Sequence, residues 1–143
     1  MYSIFEPKTS SDFEEYFKLR WLLLRRPLGG KRGSEVDDLE KKSFHAAIKD
    51  KNQNFFGVGR IHFIDTISQI RYMAIKKEYS RQGYGSKLIK YLEDISYKHG
   101  IQKVFLNSRV NAVNFYKKNG YKVVKEAKPS FGNIVHFRME KII

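Results

Sequence analysis

Apolar residues recur along this chain at two spacings, one typical of helices and one of strands. Near the N-terminus they are three or four positions apart, as on one face of a helix. The residues concerned are Phe13, Phe17, Trp21 and Leu24. Ser11 followed by Glu14 predicts a capping box at the start of this helix. The run from Pro27 to Gly30 predicts its end.

Strand-like runs flank this helix. Tyr2–Phe5 is a candidate first strand, and the polar segment Lys31–Lys42 suits a loop or a short helix. Three further runs follow, with short polar turns between them, and this arrangement predicts an antiparallel meander. They are Phe44–Lys49, Phe55–Ile64 and Gln69–Ile75.

The second half of the chain alternates helices and strands. The apolar spacing after Gly85 is helical, and Gly100 stands where a C-terminal glycine of a helix belongs. The remaining predicted elements are a strand at Val104–Leu106, a short helix at Ala112–Asn119, and strands at Tyr121–Val124 and Ile134–Met139. Together the elements predict an α/β or α+β layered domain with a mixed sheet.

Composition narrows the possible domain organisation, compartment and binding partners. The 143 residues show no repeat or linker, so we expect one domain over residues 1–143. No membrane span or secretory signal is visible. The absence of cysteine excludes disulfides, thiolate catalysis and cysteine-based zinc sites, and it makes a reducing compartment, the cytoplasm, the expected one. No metal site is predicted. The net charge of +13 indicates either attraction to polyanions or a lysine-rich solubility surface.

The loop Arg81-Gln82-Gly83-Tyr84-Gly85-Ser86 precedes the second predicted helix. The start of a helix presents unpaired N–H groups and a partial positive charge. Two glycines there allow a diphosphate to approach the backbone, and Arg81 adds a full charge. The third glycine of a dinucleotide fingerprint and the Gly-Lys-Ser/Thr of a Walker loop are both missing. A structural turn is the alternative interpretation.

Two motifs resemble those of the GNAT superfamily of N-acetyltransferases, in its small stand-alone bacterial type, over roughly residues 55–140. The first is Ser80–Gly85, which matches Gln/Arg-x-x-Gly-x-Gly/Ala except that Ser80 replaces the Gln/Arg. The second is Asn111–Tyr121, in which Ala112 and Tyr116 align and the family asparagine falls on Arg109. The resemblance implies the GNAT fold, with a mixed sheet of about six to seven strands and about four helices.

The resemblance also implies a cofactor, acetyl-CoA or coenzyme A, and the residues that hold it. The backbone of β-strand residues would bind the pantetheine arm as an added strand does, while the loop would bind the diphosphate. The implied cofactor residues are Met73, Ala74, Ile75, Arg81, Gln82, Gly83, Tyr84, Gly85, Ser86, Asn111, Phe115 and Lys118.

Acetyl transfer to an amine needs a proton donor for the departing sulfur and a means of freeing the amine of its proton. The resemblance implies Tyr116 as the acid, with a packing tyrosine as the alternative. His45 and His136 are candidate bases, although a strand histidine is often structural. Glu40 is a candidate for binding a cationic substrate and Arg20 for an anionic one; a solvated helix face is the alternative for the arginine.

The acceptor stays open between a small-molecule amine and a protein amine, and a homodimer is possible. An acyl-CoA-binding sensor without catalysis is the rival that keeps the fold. A nucleic-acid-binding role is disfavoured, because most aromatic residues fall on apolar periods that core packing explains. No membrane partner is expected.

Overall fold

A seven-stranded mixed sheet forms the centre of the computed structural model, which describes residues 1–129 and 132–143. The strand order across the sheet is β1-β2-β3-β4-β5-β7-β6. The strands are β1 (Tyr2–Phe5), β2 (Ser43–Asp50), β3 (Phe55–Ile64), β4 (Ile67–Ile75), β5 (Lys103–Arg109), β6 (Lys122–Ala127) and β7 (His136–Ile142). The sequence therefore predicted every strand, with bounds that differ most for β5, β6 and β7.

The described residues form three α-helices: α1 (Ser10–Leu24), α2 (Tyr84–Lys98) and α3 (Val113–Lys118). The resemblance implied about four helices. Beyond the three α-helices, the described residues form only short 3-10 turns. These turns are Arg26–Leu28, Glu40–Lys42, Lys77–Tyr79 and Val110–Ala112. None of the helices in the described ranges is long and apolar enough to cross a membrane.

The start of α1 differs from the prediction. Thr9, not Ser11, is the N-cap: its hydroxyl accepts a hydrogen bond from the Asp12 amide at 3.0 Å, and the Asp12 carboxylate accepts one from the Thr9 amide at 3.4 Å. The predicted box of Ser11 and Glu14 is wrong, because Ser11 already lies inside the helix. The capping box that forms begins two residues before the predicted one.

The helices cover opposite faces of the sheet. Helix α1 packs on one face over a small apolar cluster that includes Tyr16 and Leu19. Helix α2 packs on the other face over the larger apolar core, to which it contributes Leu88, Ile89 and Leu92. The core is thus divided by the sheet into two layers, as expected of a layered α+β domain.

Strands β4 and β5 are the only parallel pair among the described strands, and they pair only in part. Their register runs from Ile67–Lys103 to Ile70–Leu106. Beyond this point β4 pairs only with β3, and β5 only with β7. The two strands therefore separate towards their carboxyl ends and leave an opening in the sheet.

A β-bulge bends β4 at the start of this opening. Val58 of β3 faces Ala74 of β4, and Arg60 faces Arg71. Over this interval β4 therefore contains one residue more than β3. Tyr72 takes up the extra residue with φ at +57°, which is uncommon for a non-glycine residue. The bulge turns the end of β4 away from β5.

Candidate active site between the separated strands

A cleft of about 360 Å³ lies in the opening between β4 and β5. It is lined from four directions, by the end of α1, by both strands, by α3 with the turn before it, and by the first residue of β7. The lining residues are Leu24, Arg25, Gln69, Ile70, Arg71, Tyr72, Met73, Leu106, Asn107, Ser108, Arg109, Ala112, Tyr116 and His136.

One wall of the cleft is the free edge of β4. Met73, Ala74 and Ile75 lie beyond the last residue that pairs with β5, and they are only partly buried. Their other edge is paired with β3, where Ala74 faces Val58. Such an edge presents backbone groups to which an extended amide-bearing chain can bind. The pantetheine contact that the resemblance implies for this segment stays a prediction.

The loop before α2 opens towards solvent at the start of that helix. Gly83 is the N-cap, with φ at +86°, and no side chain caps the helix. The first helical hydrogen bond runs from the Lys87 amide to the Gly83 carbonyl at 3.2 Å. The amides of Tyr84, Gly85 and Ser86 therefore have no partner within the helix. Because Gly83 and its two predecessors are exposed, an anion has access to these amides.

The two loop glycines have different reasons to be there. A Cβ on Gly83 would meet no atom within 4 Å, so its positive φ is what requires glycine. A Cβ on Gly85 would lie 2.8 Å from the ring of Phe115. Phe115, predicted as a cofactor residue, thus packs α3 against the first turn of α2. The glycine at position 85 is explained by that packing alone.

Tyr116 lies in α3 with its side chain in the cleft lining. It is 9% exposed, and its hydroxyl has no hydrogen-bond partner among the described protein atoms. Burial raises the pKa of Tyr116 to about 12, against the opposing charge of Arg109. The hydroxyl therefore keeps its proton and is free to donate it to a bound molecule.

His136 begins β7 and faces the same cleft. Its Nδ1 lies 2.8 Å from the Ile134 carbonyl, which can only accept a hydrogen bond. Nδ1 therefore carries the proton, and the lone pair lies on Nε2 in the neutral ring. Of the two histidines predicted as bases, this one is brought together with Tyr116.

His45 is not brought to the cleft. It lies on β2 under α1, where Nε2 donates to the Glu40 carbonyl at 2.8 Å and Nδ1 is 3.0 Å from the Tyr16 hydroxyl. The rings of Phe13 and Phe17 pack against it. Burial lowers the pKa of His45, which favours the neutral ring. Both ring nitrogens are occupied, so the placement is that of a structural histidine.

Arg20 and Glu40, predicted as substrate residues, are also placed away from the cleft lining. The Arg20 side chain is fully buried and forms an ion pair with Glu40 at 2.8 Å. Glu40 also receives a hydrogen bond from Arg60 at 3.0 Å. The prediction of a solvated helix face for Arg20 is wrong as well, because this arginine lies inside the protein.

Two further predicted cofactor residues stand outside the lining. Asn111 is exposed in the turn Val110–Ala112, and Lys118 is exposed in the last turn of α3. Arg81 and Gln82 are exposed in the loop, where the Gln82 side chain donates to the Glu78 carbonyl at 3.2 Å. Contacts of these residues with a cofactor stay predictions.

Sequence reasoning missed several polar residues of the cleft, among them Arg71, Asn107 and Ser108. In a regular strand Arg71 and Tyr72 would point to opposite faces, and neither would be expected at a site. The bulge at Tyr72 breaks that alternation. An arginine in a strand that also contains Ser68 and Gln69 is a weak signal, but it was present in the sequence.

Comparison with known proteins finds sequence relatives of this chain. A family model described as an acetyltransferase (GNAT) domain matches residues 34–143. YjcF of Bacillus subtilis, an uncharacterised N-acetyltransferase, is 32% identical over 107 residues, which cover 75% of this chain and 76% of the relative.

Solved structures share the fold at low sequence identity. An acetyltransferase of the GNAT family from Staphylococcus aureus superposes with a TM-score of 0.81 at 19% identity, over 99% of each chain. An aminoglycoside 6'-N-acetyltransferase complexed with coenzyme A gives a TM-score of 0.80 at 15% identity, over 99% of this chain and 96% of the other. At these identities the likeness shows the fold alone.

Proposed function

Because this chain belongs to the GNAT acetyltransferase family, we propose that it transfers an acetyl group from acetyl-CoA to a primary amine by direct attack. The observation that carries the proposal is the position of Tyr116. Tyr116 lines the opening between β4 and β5, and its hydroxyl holds its proton and has no protein partner in the described chain.

The residues present fit acetyl-CoA in two places. The unpaired amides at the start of α2 and the charge of Arg81 suit a diphosphate. The free edge at Met73–Ile75 suits the amide groups of a pantetheine arm. When bound, acetyl-CoA supplies the thioester that the amine attacks.

We assign the proton transfers to two side chains. Nε2 of His136 accepts a proton from the acceptor ammonium, directly or through a water molecule, so that the nitrogen has a lone pair. The Tyr116 hydroxyl donates its proton to the departing sulfur. The nitrogen loses a second proton as the amide forms, and this proton restores the hydroxyl. The products are an amide and the free thiol of coenzyme A.

The experiment is to measure thiol release from acetyl-CoA across a panel of primary amines. The chain has no cysteine, so a thiol reagent reports released coenzyme A without background from the protein. We expect release that depends on one class of amine and equals the amide detected by mass spectrometry. If acetyl-CoA binds but no amine of any charge is acetylated, a sensor replaces the enzyme as the best account.

A further inference from the structure

Three arginines line the cleft: Arg25, Arg71 and Arg109. They come from three separate elements, the end of α1, strand β4 and strand β5, so the fold and not the local sequence brings them together. Within the described chain, no aspartate or glutamate lines the same cleft. The lining therefore has a strong positive charge.

The acidic residues behind the cleft are already engaged. Glu40 pairs with Arg20 and Arg60, at 2.8 and 3.0 Å. Asp37 pairs with Arg60 at 2.6 Å and with Arg71 at 3.2 Å. The carboxylates of Glu40 and Asp37 are thus shared among three guanidinium groups, those of Arg20, Arg60 and Arg71.

Asp37 remains fully ionised in this arrangement. Burial acts to raise its pKa, but hydrogen bonds from Arg60 and the Leu39 amide and the charges of Arg60 and Arg71 bring it to about 2. Its charge is therefore shared between Arg60 and Arg71. Arg109 forms no ion pair with any described carboxylate.

The cleft arginines also repel one another. Arg25 is held by the carbonyls of Ser34 and Leu24 at 3.0 and 3.2 Å, which fix its guanidinium in place. Burial, with the charges of Arg71 and Arg109, lowers the pKa of Arg25. An anion bound between these groups would relieve the repulsion and form charge-assisted hydrogen bonds.

This positive site is separate from the loop that we assign to the diphosphate. No residue of Arg81–Ser86 lines the cleft. Arg71 precedes the bulge at Tyr72, whereas the free edge at Met73–Ile75 and the loop come after the bulge in the chain. The anion that suits the arginines therefore belongs to the other substrate.

We propose that the acceptor is a primary amine that carries an anionic group, a carboxylate or a phosphate, and that Arg71 and Arg109 bind this group beside Tyr116 and His136. The inference rests on the proposed acetyl transfer and narrows its acceptor. Polyamines and other polycations are poor acceptors on this account, because they would meet like charge in the cleft.

The test compares matched amines that differ only in the anion. One pair is an α-amino acid and its carboxamide, the other aminoethyl phosphate and ethanolamine, so that the two arms separate carboxylate from phosphate. We expect kcat/KM for one anionic member to exceed that of its neutral partner by about tenfold or more, as a charge-assisted hydrogen bond implies.

Arginine variants locate the effect. Arg71→Gln and Arg109→Gln should each remove most of that preference, mainly through KM. Arg26→Gln is the matched control: this exposed arginine follows Arg25 directly but does not line the cleft. The control removes the same charge from the protein and should leave the preference unchanged.

Failure of this inference is distinct from failure of the acetyltransferase assignment. Equal or faster acetylation of the neutral members would overturn the anionic acceptor. An anion preference that survives both arginine variants would overturn the assignment of Arg71 and Arg109 as its binding groups. Either result leaves the acetyltransferase assignment in place. If no amine reacts, calorimetric titration of the coenzyme A complex with the same pairs decides. Absence of an anion preference in binding overturns the inference, whereas absence of coenzyme A binding removes the assignment itself.

Discussion

Tyr116 joins two properties that a proton donor needs, a hydroxyl that holds its proton and an open path to a ligand. Replacing Tyr116 with Phe keeps the ring in the core and removes only the hydroxyl. We expect kcat to fall by about 100-fold or more, which is the lower range for general acid catalysis. The affinity for coenzyme A, measured by calorimetry, should change little.

Tyr121 offers a matched control for this variant. Its ring lies 6.0 Å from that of Tyr116 in the same core, but its hydroxyl donates to Glu93 at 2.8 Å and does not line the cleft. Tyr121→Phe should lower stability while kcat per folded molecule stays near the wild-type value. An unchanged kcat in Tyr116→Phe would remove this residue from the mechanism.

Residue roles could be predicted from the sequence only where a local motif carries them. The loop glycines and Tyr116 belong to such motifs, and their roles towards acetyl-CoA stay predictions. His45 and His136 look alike in sequence, since both stand in predicted strands; what separates them is the set of partners supplied by distant residues. Tyr16 and Glu40 hold both ring nitrogens of His45, whereas His136 lines the cleft and only its Nδ1 has a hydrogen-bond partner in the described chain.

Among the elements, the start of α1 gives a direct test of local structure. Thr9→Ala removes the cap and should lower the free energy of unfolding by about 1 kcal/mol. Ser11→Ala, inside the helix, should change it by less than about 0.5 kcal/mol. Urea denaturation measures both. A larger loss for Ser11→Ala than for Thr9→Ala would contradict the observed helix start.

The elements themselves were largely predictable, because alternating and helical apolar periods are local properties. The apolar periods did not predict the departure of β4 from β5, which only the resemblance implied through the added-strand contact at Met73–Ile75. This departure depends on where the register of two strands ends and on a bulge at Tyr72, and both depend on residues more than ten positions apart. The cleft, and with it Arg71 as a site residue, follows from that departure.

For the molecule as a whole, buried histidines link stability to pH. His62 on β3 is 3% exposed, with Nδ1 3.4 Å from Arg60, and its Nε2 is buried without a hydrogen-bond partner in the described structure. Burial and the charge of Arg60 lower the pKa of His62 from 6.5 to about 4. The unfolded chain therefore binds this proton at a higher pH than the folded protein does.

Because the folded pKa is the lower one, the stability linked to His62 is present above pH 6.5 and is lost as pH falls towards 4. We expect the free energy of unfolding to decrease by up to about 3 kcal/mol across this window. In His62→Gln the free energy of unfolding should fall less as the pH is lowered. Some pH dependence should remain, because burial also lowers the pKa of His45.

Urea titrations at several pH values measure this dependence, and His99→Gln is the control because His99 is exposed. If the free energy of unfolding depends on pH equally steeply in His62→Gln and in the wild type, then His62 does not link stability to pH.

The central claim is that backbone amides at the start of α2 and the free edge of β4 bind acetyl-CoA. An NMR titration of nitrogen-15-labelled protein with acetyl-CoA observes those amides directly. We predict that the resonances of Tyr84, Gly85, Ser86 and Met73–Ile75 shift to saturation, while those of Glu14 and Lys18 on the exposed face of α1 stay in place. Unchanged resonances at the start of α2 in the presence of excess acetyl-CoA would contradict the account.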